Sequence, residues 1–211
     1  MEKILEKIRK TLQKHPTCRI GLCGGKTPRP LYEKLAQCSL PWNRIQFIIT
    51  DERYVKPNEE NSNFHMINEA LFSRIHPNPE NLFIFNTFLS REEAVNKLQG
   101  QLEKLRRERS PLFDILILGM GKDGHIASLF PHSKALDSTW LVTTSETTQF
   151  DIRERLTLTY DALLDSDEVI LLISGEEKKQ ILEKARQGNA DFHDLPIRKI
   201  LQNKEVRIYE L

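Results

Sequence analysis

Short apolar runs, each about the length of a strand, recur along this chain: RIGLC (19–23), IQFIIT (45–50), LFIF (82–85), FDILIL (113–118), WLVTT (140–144), RLTLT (155–159), EVILLIS (168–174) and EVRIY (205–209). Most are separated by helical patterns, notably at 28–37, 62–73, 90–107 and 176–186, and an amphipathic helix precedes them at 2–14. Strands that alternate with helices pair in parallel, because a parallel neighbour needs a crossover long enough to hold a helix. The unbroken apolar character of 115–118 and 169–173 fits central strands buried on both faces. The sequence therefore predicts an α/β fold, an open and mostly parallel sheet with helices on both faces. A chain of 211 residues is enough for one such domain, 1–211. The polar stretch between WLVTT and RLTLT carries no helical pattern, so one of the two is expected as an antiparallel or edge strand.

Lys+Arg 31 against Asp+Glu 30 gives a formal charge of +1, which removes any composition-level argument for nucleic acid or an anionic membrane as partner. Any anion must be held by a local site. No apolar stretch approaches the roughly 20 residues that span a bilayer, and the opening MEKILEKIRKTLQKH is charged throughout, unlike a signal peptide. The cysteines Cys18, Cys23 and Cys38 form no CxxC pair and are odd in number, which fits reduced thiols in a cytoplasmic protein.

Three strand-to-loop junctions carry chemistry. In open α/β sheets the ligand binds outside the carboxyl ends of the strands. The first junction, RIGLCGGKTPRPLYEKLA, runs into Gly24, Gly25, Lys26 and Thr27 and then a helix with early prolines. Glycines let backbone N–H groups converge on an anion, and Thr27 is placed to cap the helix. GLCGGKT has one residue too few for a nucleotide-binding P-loop. In the second, IQFIITDERYV, alternation puts Asp51 and Arg53 on one side of the chain, a carboxylate and a guanidinium facing one ligand. The third, FDILILGMGKDGHIASLFP, ends a buried strand in a GxGxxG pattern followed by His125 and a short helical stretch. Pro131 cuts that helix too short for a dinucleotide-binding unit. At a helix N-terminus the dipole disfavours imidazolium, which leaves His125 as a neutral base with Asp123 to orient it or to hold a backbone amide. Arg155, opening RLTLT, and Lys178, in SGEEKK, join Lys26 and Arg53 as cations able to surround an anion. The remaining histidines, His15, His65, His76, His132 and His193, show no metal-ligand spacing, so no metal is expected.

At these residues the chain resembles the lactonase branch of the glucosamine-6-phosphate isomerase/6-phosphogluconolactonase family. The segments LCGGKTPRPLYEKLA, TDERYVKPNEENSNFHMINEALF, FDILILGMGKDGHIASLFPHS, RLTLT and LLISGEEKKQIL carry the likeness and occur in family order. The fold this implies is Rossmann-like, in agreement with the alternation of strands and helices. The implied activity is hydrolysis of 6-phospho-D-glucono-1,5-lactone to 6-phosphogluconate in the oxidative pentose phosphate pathway. His125 would activate water, with Gly24, Gly25, Lys26, Thr27, Arg53, Arg155 and Lys178 on the phosphate and sugar oxygens and Asp51 and Asp123 as polar supports. No cofactor is implied, the partner is a phosphorylated sugar lactone, and a monomer or weak dimer is expected. The deaminase branch continues from its histidine into Phe-Asn-Glu-Pro, whereas Phe130 stands here at the glutamate position.

Three departures from the family pattern set further expectations. The family's first strand is expected to be missing, Lys26 replaces the serine of Gly-Gly-Ser-Thr-Pro, and the tail after the DLP at 194–196 ends at Leu211 without the closing segment. Two other readings stay open at this point, a sugar-phosphate-binding module without turnover and a deaminase-like isomerase.

Overall fold

The computed structural model of the chain describes residues 1–210. Its strands are β1 (Cys18–Leu22), β2 (Ile45–Ile49), β3 (Asp51–Arg53), β4 (Leu82–Phe83), β5 (Phe113–Gly119), β6 (Val142–Glu146), β7 (Glu154–Leu158), β8 (Ser166–Ile173) and β9 (Val206–Glu210). The helices are α1 (Glu2–Lys14), α2 (Arg29–Leu35), α3 (Asn63–Ile67), α4 (Ser73–Ile75), α5 (Arg91–Glu108), α6 (Tyr160–Leu163), α7 (Glu176–Gln187) and α8 (Ile197–Asn203). Six strands form a wholly parallel sheet in the order β4-β2-β1-β5-β8-β9. The chain winds outward one way from β1 and the other way from β5, so the strand order reverses between these two neighbours. That switch point is where an open α/β sheet opens a ligand crevice.

The alternation within β5 divides the core. Ile115 and Ile117 face a layer holding Ile4 and Ile8 of α1 and Tyr32 and Leu35 of α2, whereas Leu116 and Leu118 face Leu98 and Leu102 of α5 and Ile197 and Ile200 of α8. Both faces of the sheet are thus covered, as the apolar runs predict. A capping box between Ser90 and Glu93 starts α5. Among the described residues no helix is long and apolar enough to cross a membrane.

Several sequence expectations need correction. LFIF supplies only the short strand Leu82–Phe83. WLVTT and RLTLT both leave the main sheet and join β3 in a second, antiparallel sheet of order β3-β7-β6. Thr50 marks the passage between the sheets: its N–H donates to Leu22 O at 2.9 Å in the first, and its carbonyl accepts from Leu158 N at 2.8 Å in the second. No helix follows β5, because Gly124 (φ 80°) and Ala127 (φ 48°) adopt left-handed conformations that interrupt helical winding. A tight turn closed by an Ile126–Leu129 bridge replaces it. Thr27 does not cap α2, since Pro28 holds the N-cap position and no side chain caps there.

Candidate active site

One cavity of about 620 Å³ lies at the carboxyl ends of β1 and β5, and all ten residues singled out in the sequence line it. Gly24, Gly25, Lys26 and Thr27 come from the turn after β1, Asp51 and Arg53 from β3, Asp123 and His125 from the turn after β5, Arg155 from β7 and Lys178 from the first turn of α7. Its size suits a small-molecule ligand.

The His125 ring is oriented by its own loop. Its Nδ1 lies 2.5 Å from Asp123 Oδ1, and the same oxygen accepts the His125 backbone N–H at 3.2 Å. A carboxylate only accepts, so Nδ1 carries a proton, and in the neutral ring this leaves the lone pair on Nε2. Burial opposes the charge on Asp123, but the hydrogen bond and attraction from His125 outweigh it and hold the carboxyl below its ordinary value. With no helix behind it, the ring is governed by this carboxylate and not by a helix dipole, which overturns the dipole argument made from the sequence. Gly121 makes the arrangement possible: a Cβ there would stand 2.1 Å from His125 Nδ1 and 2.7 Å from Asp123 Oδ1. The ring packs against Phe130 at 4.7 Å and meets the edge of Phe150 at 5.9 Å.

The cationic end is built by strand register. Arg53 and Arg155 are directly opposite in the antiparallel β3–β7 pair, an arrangement of like charges that costs stability unless an anion lies between them. Arg53 donates to Asn61 O at 2.7 Å. Arg155 is only 5% exposed, its Nε is buried without a hydrogen-bond partner, and its guanidinium lies 5.6 Å from the centre of the Phe150 ring. Burial first, and repulsion from Arg53 second, lower its pKa. Burial, followed by repulsion from Lys122, likewise lowers that of Lys178. Lys122 at the rim is itself paired with Glu177 at 2.6 Å. Such a concentration of under-compensated positive charge favours an anionic ligand.

The residue between Asp51 and Arg53 does different work, as alternation predicts. Glu52 is buried away from the cavity and accepts from Asn63 N at 2.6 Å and Phe64 N at 2.7 Å, which anchors the start of α3. Burial raises its pKa despite those donors. Cys23 also lines the cavity, but burial pushes its thiol up to about 12, so no thiolate nucleophile is present near neutral pH.

Sequence reasoning assigned no role to Asn63, Ser128, Gln149 or Phe150, which the fold adds to the lining. Asn63 donates to Asp51 O at 2.8 Å and abuts Gly24, where a Cβ would lie 1.8 Å from its Oδ1. Phe150, 45% exposed, comes from the β6–β7 connection; the available signal was a lone aromatic among polar neighbours in SETTQFDIR.

Comparison with known proteins accords with this geometry. A family model described as glucosamine-6-phosphate isomerases/6-phosphogluconolactonase matches residues 1–209. A protein named 6-phosphogluconolactonase from Thermotoga maritima is 42% identical over 178 residues, covering 84% of this chain and 79% of that protein. Another of the same name from Nostoc sp. is 34% identical over 212 residues, covering 98% of this chain and 87% of that protein. The crystal structure of 6-phosphogluconolactonase from Thermotoga maritima superposes with a TM-score of 0.86 at 38% identity, covering 99% of this chain and 91% of that one.

Proposed function

Because the chain belongs to the glucosamine-6-phosphate isomerase/6-phosphogluconolactonase family, we propose that it hydrolyses 6-phospho-D-glucono-1,5-lactone to 6-phosphogluconate, with His125 as the general base. The observation that carries this reading is the His125–Asp123 pair set beside the Arg53–Arg155 cationic wall in one cavity. Nε2 takes a proton from water as its oxygen attacks the lactone carbonyl carbon. The tetrahedral oxyanion is stabilised by the surrounding cations and backbone N–H groups. Collapse breaks the bond to the ring oxygen, which recovers the proton from Nε2 and leaves as the sugar hydroxyl. Gly24, Gly25, Lys26, Thr27, Arg53, Arg155 and Lys178 hold the phosphate and sugar oxygens, and Asp51 is a polar support. The enzyme acts on free substrate as a cytoplasmic monomer or weak dimer.

Phe130 favours this branch over the deaminase. At 4.7 Å from His125 it puts an apolar ring where the deaminase motif places a carboxylic acid. The test follows lactone disappearance against spontaneous hydrolysis at controlled pH. Wild-type protein should accelerate the reaction, and His125→Ala should lose about 10²–10⁴ of that acceleration. Equal rates for the two proteins would remove the base assignment. Ammonia release from glucosamine 6-phosphate would restore the isomerase reading.

A further inference from the structure

The turn carrying His125 grows out of the parallel sheet, whereas Asp51, Arg53 and Arg155 belong to the antiparallel one. Something must hold these two parts of the cavity in register. Ser128 is 1% exposed, beside the left-handed Ala127. Its hydroxyl donates to Asp51 Oδ2 at 2.7 Å and its N–H donates to Thr157 Oγ1 at 3.1 Å. The Thr157 hydroxyl donates a hydrogen bond to Leu158 O at 2.9 Å, so its oxygen is free to accept from Ser128. The other oxygen of Asp51 accepts the Thr50 hydroxyl at 3.2 Å, and Asp51 O accepts from Asn63 Nδ2 at 2.8 Å. Among the described residues, Ser128 supplies the hydrogen bonds that join the His125 turn to β3 and β7.

We infer that Ser128 is a positioning residue for the hydrolysis, acting through Asp51 to fix the distance between the His125 base and the anion-binding wall. This rests on the lactonase reading of the cavity. The hydroxyl bond holds the Asp51 carboxylate in one orientation, and the amide bond fixes the turn, three residues beyond the base, against the second sheet. A displacement of about 1 Å at a reacting group costs on the order of 10²-fold in rate, so a loosened tie should appear in turnover more than in binding.

The experiment compares wild type, Ser128→Ala, Ser128→Thr, Asp51→Asn and the Ser128→Ala/Asp51→Asn double variant by lactone assay from pH 5 to 8, with binding of 6-phosphogluconate by calorimetry. Ser128→Ala should lower kcat about 10- to 100-fold with less than about a threefold change in product affinity. Ser128→Thr should restore part of the rate, and the double variant should be no slower than its slower parent. If Ser128→Ala fails to fold, Ser128→Cys, a weak donor of similar size, takes its place. An unchanged kcat in a folded variant would overturn the inference, as would additive losses in the double variant. Wild type without activity above the spontaneous rate would instead refute the lactonase reading.

Discussion

Replacing Arg155 by Met should make the ligand-free protein more stable while removing its capacity to bind substrate. Arg155 is 5% exposed, stands opposite Arg53 in the β3–β7 register and has a buried Nε without a partner. Directly opposite side chains start about 5 Å apart at Cβ, and unit charges about 8 Å apart repel by about 2 kcal/mol at an effective dielectric of about 20. Asp51 and Glu52 offset part of that repulsion. Full burial of a charge costs several kcal/mol, a penalty reduced here because the side chain borders an open cavity. Against these gains, Met gives up the cation–π contact with Phe150, worth about 0.5–1 kcal/mol, while keeping an apolar stem to pack. The net is a gain of about 2 kcal/mol, or about 4–8 °C in melting temperature for a chain of this size. Wild type with 6-phosphogluconate at about 100 times Kd should gain about 2.7 kcal/mol, and the variant should lose most of that response. Differential scanning calorimetry with and without the product measures both quantities. A ligand-free variant that melts below wild type, or one that keeps the full ligand-induced rise, would refute the account of Arg155 as an under-compensated cation awaiting an anion.

Gly121→Ala should cut kcat by about 10²-fold or more with the fold retained by circular dichroism, because the added Cβ would stand 2.1 Å from His125 Nδ1 and force the base off its carboxylate. Lys26→Ser removes an exposed cation at the cavity and should raise KM several-fold while flattening the ionic-strength dependence of kcat/KM, the signature of lost steering. His193 has its pKa raised chiefly by its hydrogen bond to Asp137 and next by that to Asp191. A raised folded value means its contribution is complete below the unfolded value of about 6.5 and disappears as pH rises through the folded one. The stability advantage of wild type over His193→Gln should therefore be largest near pH 6 and shrink above neutrality in melting curves.

Much of the site was legible because each junction marks itself chemically. Glycines, a lone charged pair and a histidine stand where long apolar runs stop, and a strand's end in an open sheet is where a ligand binds. The alternation that separated Asp51 and Arg53 from Glu52 held in space, since a strand of three residues still points successive side chains to opposite sides. The stretch after β5 was misread because residues 120–131 have a composition that a short helix tolerates. Only the backbone geometry, with Ala127 at φ 48°, shows a turn, and that exchanged a helix dipole for Asp123 as the group governing His125.

The sequence by itself determined the α/β class, the strand ends that carry the chemistry and the identities of the groups able to do it, because these follow from local periodicity and residue type. Tertiary structure alone decided that β3, β6 and β7 form a second sheet, that Arg53 and Arg155 stand opposite each other, and that Ser128 reaches Asp51. Those are relations between residues far apart in the chain, Arg53 and Arg155 among them, and they depend on register and packing that no local pattern encodes.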